Sequence, residues 1–176
     1  IHELWMGSDA GLLIMPGSLP LDVSAVRDEL TRHLPEGWNS LVDREVDGKR
    51  SIPWQQDKNV LRYGKTLASR RVARTIMLGS APTVRQQNVR GIEASRIRLG
   101  VVQPGEQIAV FNDALGSLQN SLAYLYTNPS GDRFWYDTRP TLRKTVEDRA
   151  TQFSASDVEY EIERRMKKLR QEPPLK

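Results

Sequence analysis

The sequence predicts an α+β chain, and three observations carry that expectation. Apolar residues recur at helical spacing in several segments. Two aromatic-rich stretches flank Asn128-Pro129-Ser130-Gly131-Asp132, the signal of a β-hairpin. Short apolar runs end on Pro16-Gly17 and Asp47-Gly48, which read as strands closed by turns. The 176 residues suffice for one domain with a small lobe. An apolar fraction of 38% beside 27% charged residues fits a polar globular chain rather than a disordered one.

In chain order, Leu12–Met15 reads as a short strand. Asp22 is placed to cap a helix running to Leu34, with Val23, Val26, Leu30 and Leu34 on one face and Pro35 and Gly37 ending it. Residues 38–46 read as a second strand, and 49–64 as an extended connector. A helix over 65–78 has Ala68, Val72 and Ile76 as its core stripe and Gly79 as its stop. Residues 80–89 form a polar loop, 91–99 a short helix ending at Gly100, and 101–104 a turn. The next helix, 105–121, carries Ile108, Phe111, Leu115 and Leu118 on its apolar face, with Leu122 next in the stripe. Residues 123–127 and 133–137 are the hairpin strands. Pro140 suits the first turn of a helix with Leu142, Val146 and Ala150. Ser156-Asp157-Val158-Glu159 has a capping-box pattern, and Val158, Ile162, Met166 and Leu169 stripe the last helix, which Pro173 terminates.

The order helix, helix, tight turn, helix, hairpin matches a winged helix-turn-helix, with the hairpin as the wing. The expected organisation is a small acidic α/β lobe (1–60), a winged-helix-like domain (61–153) and a C-terminal helix and tail (154–176).

Charge is unevenly placed. Residues 1–61 carry 6 basic and 10 acidic side chains, whereas residues 62–98 carry 9 basic ones against Glu93 alone. Such a block attracts a polyanion such as nucleic acid or a triphosphate. The plainer reading is a helix face opposite the acidic lobe. The sequence has no cysteine, which excludes disulfides and thiolate metal sites, and the two histidines, His2 and His33, argue against a zinc enzyme or a Ser-His-Asp hydrolase. No apolar run approaches the ~18 residues of a membrane span, so no membrane partner and a cytoplasmic location are expected. The chain begins at Ile1 without a signal-like segment and reads as a piece of something larger.

Several motifs need weighing. Asn59-Val60-Leu61-Arg62-Tyr63-Gly64-Lys65-Thr66 lacks the first glycine of a Walker A loop and has no strand feeding it. Asp43, Glu45, Asp47 and Gly48 fit the start of a calcium loop, but Trp54 stands where a bidentate glutamate is needed. His33, near a helix C-terminus, suits the helix dipole. Helix 105–121 contains Glu106 and Asp113 but no Lys or Arg, so it would repel DNA phosphates despite Asn112, Gln119 and Asn120. The sharpest constellation is Arg70, Arg71 and Arg74 within an arc of about 100°. With Lys65 they are the candidate phosphate or nucleic-acid ligands, since guanidinium groups grip phosphate bidentately. An ion-pair network with acids such as Asp43 or Asp47 is the other reading. No residue is assigned a catalytic or metal-binding role.

Beyond these features, Asp47-Gly48, the 68–76 segment ASRRVARTI, Gly79-Ser80-Ala81-Pro82, Gly91-Ile92, Arg96-Ile97-Arg98-Leu99-Gly100, Phe111-Asn112-Asp113-Ala114-Leu115 and the 134–140 segment FWYDTRP resemble a family of prokaryotic predicted ATPases of the AAA+ superfamily. The likeness runs from about Leu12 to Ala150. These proteins are described mostly as a domain of unknown function and are often encoded beside DNA methyltransferases and helicases in phage-defence-like clusters. The resemblance implies that the nucleotide-binding core lies upstream of Ile1, with ATP and Mg bound by that parent protein and no cofactor in this portion. It also implies the upstream ATPase core and DNA as partners. The expected function is a non-catalytic accessory module that transmits nucleotide state or contacts DNA. A stand-alone DNA-binding winged-helix regulator is the alternative.

Overall fold

The computed structural model describes His2, residues 11–80 and residues 90–171. Two compact units result, Ile1–Pro140 and Thr141–Lys176. In the first, α-helices pack with a three-stranded antiparallel sheet, the α+β architecture the sequence predicts. Its elements are a 3-10 turn at Pro16–Ser18, α1 (Ser24–Thr31), α2 (Trp38–Leu41, continuing as a wider π turn over Val42–Val46), α3 (Ile52–Asn59), α4 (Leu61–Gly64), α5 (Ala68–Gly79), β1 (Ile92–Glu93), α6 (Ala94–Val101), α7 (Ile108–Ser121), β2 (Leu125–Thr127) and β3 (Arg133–Tyr136).

Helix α5 is the centre of this unit. Ala68, Val72 and Ile76 recur every four residues and are fully buried, and the helix packs on α3, α6, α7, β3 and the Pro16 turn. Its start is unusual. Leu67 lies in the left-handed region at φ +50° and makes no side-chain cap. Asp57 of α3 caps the helix from outside instead, accepting from the Ser69 and Arg70 N–H groups at 2.8 and 3.1 Å.

The sheet order is β1-β3-β2, with Ile92 opposite Phe134 and Leu125 opposite Tyr136. Phe134 and Tyr136 face the core, while Trp135 points outward and stacks on Tyr126 with ring centroids 5.8 Å apart. The predicted hairpin is present. Asn128 closes its loop by accepting from the Asp132 and Arg133 N–H groups.

Elsewhere the structure corrects the sequence reading. Leu12–Met15 pairs with no strand; its apolar run is exposed, and the backbone of Leu13 bonds the Gln103 side chain. Residues 38–46 are helical, because Trp38, Leu41, Val42 and Val46 are buried at spacings of three, one and four, a helical rather than alternating pattern. The expected connector 49–64 contains α3 and α4. Ser51 caps α3 by accepting from the Trp54 N–H at 3.3 Å, and Pro53 sits in its first turn. Helix α1 ends at Thr31, short of the expected Leu34, and the Asp22 carboxylate pairs with arginines instead of capping it. Part of the predicted 91–99 helix is β1, and α7 starts at Ile108, after Gly105 turns at φ +87°. The predicted polar loop falls, apart from Ser80, on 81–89, outside the described residues. One core joins Leu21, Trp38 and Val42 to Ile97, Phe111 and Phe134, so the described residues before 60 share their packing with the rest of the first unit.

The second unit holds α8 (Leu142–Ala150) and α9 (Ala155–Gln171). Residues 141–153 therefore belong with the C-terminal helix rather than with the preceding domain. Thr141 caps α8, accepting from the Lys144 N–H. The capping box of α9 is Ser154 with Asp157, two residues before the expected Ser156, and the two side chains bond each other's N–H groups reciprocally. Pro173 lies outside the described residues. Among them, no helix is long and apolar enough to cross a membrane.

Candidate functional site

The arginines that the sequence gathers on one arc are taken up by carboxylates of other segments. Asp47 is fully buried. It accepts from Arg70 Nε at 2.6 Å, from Arg74 Nε at 2.8 Å and from the backbone N–H of Asp22 at 2.8 Å, and Arg74 Nη2 lies 2.7 Å from its carboxylate. Asp22 completes the cluster, 3.1 Å from Arg70 and 3.4 Å from Arg74. Arg74 also donates to the Gly17 carbonyl. Gly48 lets the chain turn Asp47 inward, because a Cβ there would lie 1.9 Å from the Asp43 carbonyl oxygen.

Two guanidinium groups meet two carboxylates, so the cluster is neutral when all four are ionised. Burial pushes the Asp47 pKa above the ordinary aspartate value, with Arg74 and then Arg70 pulling it back. For Arg70, burial alone would lower the pKa. The charge of Asp47, with Asp22 and Asp57, outweighs burial and holds it raised. Asp57 is likewise raised by burial, opposed by the N–H groups of Ser69 and Arg70.

Arg71 leaves α5 on another side. Its Nη1 donates to Glu106 at 2.7 Å and to the Thr66 carbonyl, its Nη2 donates to the Val101 carbonyl, and the guanidinium lies 5.2 Å from the Phe111 ring centroid. Glu106 in turn accepts from the Gln103 N–H at 2.7 Å. Arg71, Gln103 and Glu106 line a cleft of about 390 Å³ together with Lys65, Thr66 and Leu67. Lys65 is exposed and has no carboxylate partner among the described residues.

The four candidate phosphate ligands are thus not one site. Arg70 and Arg74 share the Asp47 cluster, whereas Arg71 shares the cleft with Lys65. Each of the three arginines already has a carboxylate partner, and Arg71 and Arg74 are buried. Guanidinium groups do not exchange protons, so these contacts supply ties between segments rather than acid-base chemistry. Sequence reasoning missed the roles of Asp22 and Glu106 as arginine partners and did not single out Asp57 or Gln103. A signal existed for Asp57 in the spacing of Pro53 from Ser51, which marks a helix start; none existed for Gln103.

The remaining motifs dissolve in the same way. The segment resembling Walker A is the end of α3 followed by α4, and a Cβ on Gly64 would lie 2.5 Å from the Asp57 carbonyl oxygen. The three acids of the calcium-loop pattern part company: Asp43 pairs with Arg27, Glu45 accepts from the Ala123 N–H, and Asp47 enters the arginine cluster. On α7, Asp113 pairs with Arg62 and Asn112 accepts from Arg98. No known protein family, curated protein or solved structure matches the chain.

Proposed function

We propose that this chain is a non-catalytic accessory module of an AAA+-type ATPase and that it transmits nucleotide state through a winged-helix-like fold. The observation that carries the reading is the position of α5. Its arginines fasten the Gly17–Asp22 segment, Asp47 and the 101–106 turn to a single helix, so a push on one of these segments is felt by the others. The order α5, β1, α6, α7, β2, β3 with sheet order β1-β3-β2 supports the winged-helix comparison, the Asn128–Asp132 loop taking the place of the wing. ATP and Mg belong to the parent protein in this reading, and the upstream core is the module's first partner.

The same element order favours a second reading, a stand-alone DNA-binding winged-helix regulator. The helix that would enter the major groove, α7, has no Lys or Arg and carries Asp113 on its exposed side, which favours the coupling role.

Phosphate release from the purified chain with ATP and Mg tests the proposal together with the reading frame of its gene. The expected result is no hydrolysis above buffer and a complete phosphate-binding loop encoded upstream in the same frame. Hydrolysis that Lys65→Ala abolishes, or a frame without that loop, would overturn it.

A further inference from the structure

We infer that α9 is a self-association element and that its occupant is the α9 helix of a second copy, running antiparallel. Val158, Ile162, Met166 and Leu169 fall within about 80° on the helical wheel. They are 47–66% exposed, an apolar face that no described residue of the second unit covers. A capped 17-residue helix with such a stripe has the form of one strand of a coiled coil.

The charges choose the occupant and its direction. From Asp157 to Glu163 the helix carries four acids and no base; from Arg164 to Arg170 it carries five bases and no acid. In an antiparallel pair, Val158 lies opposite Leu169 of the second copy and Ile162 opposite Met166 to within a residue. In that register Glu159 meets Arg170 along one flank of the stripe, and Glu161 meets Lys168 along the other. The two-fold axis repeats both pairs. A parallel pair would set acid against acid and base against base. Part of the asymmetry suits the dipole and the internal pairs of a lone helix: Glu161 bonds Arg164 and Arg165, and Glu163 bonds Lys167. Glu159, Lys168 and Arg170 have no ion-pair partner among the described residues, and these flank the stripe.

Sedimentation equilibrium of the full chain, with single-cysteine cross-linking, tests this. The native sequence has no cysteine, so an introduced one is unambiguous. A concentration-dependent dimer is expected, which Ile162→Asp converts to monomer without altering the unfolding of the first unit. Glu159→Lys with Glu161→Lys should weaken dimerisation roughly tenfold or more. Adding Lys168→Glu and Arg170→Glu to the same chain should restore it. A mixture of Val158→Cys and Leu169→Cys chains should form the mixed disulfide, while Val158→Cys alone should not, its two sulfurs lying roughly 16 Å apart along the helices. A chain that stays monomeric at every concentration, Val158→Cys chains that cross-link to themselves, or a monomer that instead binds anionic lipid vesicles through α9 would overturn the inference.

Discussion

At the scale of single residues, Asp47 decides how the positive block of the sequence is spent. It stands between Arg70 and Arg74 with no exposure to water, and removing it leaves two guanidinium groups without their central counter-charge. Breaking a buried pair from one side costs about 3–5 kcal/mol, a large share of a typical total near 5–15 kcal/mol. Asp47→Ala should therefore lower the urea midpoint strongly. Asp47→Asn should cost less than Asp47→Ala, since the amide keeps the shape and one acceptor while burial already penalises the charged form. The pH dependence has a definite sign. Burial raises the folded pKa values of Asp47 and Asp57. The stability linked to these two groups is complete below the unfolded aspartate pKa and is lost as pH rises through the raised folded values. Neither group drives acid unfolding.

At the scale of elements, the start of α5 and the start of α9 use opposite solutions. Leu67 stands at φ +50° and cannot cap α5, so Asp57 does so from a neighbouring helix. Asp57→Ala leaves two N–H groups unsatisfied in a buried place and should cost about 1–3 kcal/mol in urea unfolding. Helix α9 is capped locally. Hydrogen bonds from the Ser154 hydroxyl and N–H hold the Asp157 pKa below the ordinary 3.8. The stability of that cap is present above the unfolded pKa and is lost as pH falls through the lower folded value. Helical circular dichroism from the second unit should decline only below about pH 4, and Asp157→Asn should remove that pH-dependent step. The elements also show what could be read in advance. The α5 and α7 stripes and the hairpin were legible because local pattern and tertiary packing agree there. Residues 38–46 were not: a nine-residue segment with buried positions 38, 41, 42 and 46 looks like a strand until the four-residue spacing is counted. The fate of the arginines was legible only as one of two alternatives, because a wheel projection places charges on a face without showing which acids arrive opposite it.

At the scale of the whole molecule, the sequence suggests a cationic patch and the structure contains a set of internal ties. Arg62 pairs with Asp113, Arg70 and Arg74 with Asp22 and Asp47, and Arg71 with Glu106. The buried members are shielded from salt. Raising ionic strength from about 0.05 to about 0.5 M should therefore move the urea midpoint of the first unit only slightly, whereas a stability built on exposed pairs would fall. The α5 helix then acts as the common anchor of segments that lie far apart in sequence. This is the property an accessory module needs if it is to pass on a change made at one edge.

A double-mutant cycle between Asp47 and Arg74, read by urea unfolding of Asp47→Leu, Arg74→Leu and the pair together, tests that anchoring most directly. Each single substitution should cost about 3 kcal/mol or more, and the double should cost less than the sum by about 2 kcal/mol or more. Costs that add within about 0.5 kcal/mol would show the two residues to be energetically independent and would contradict the account.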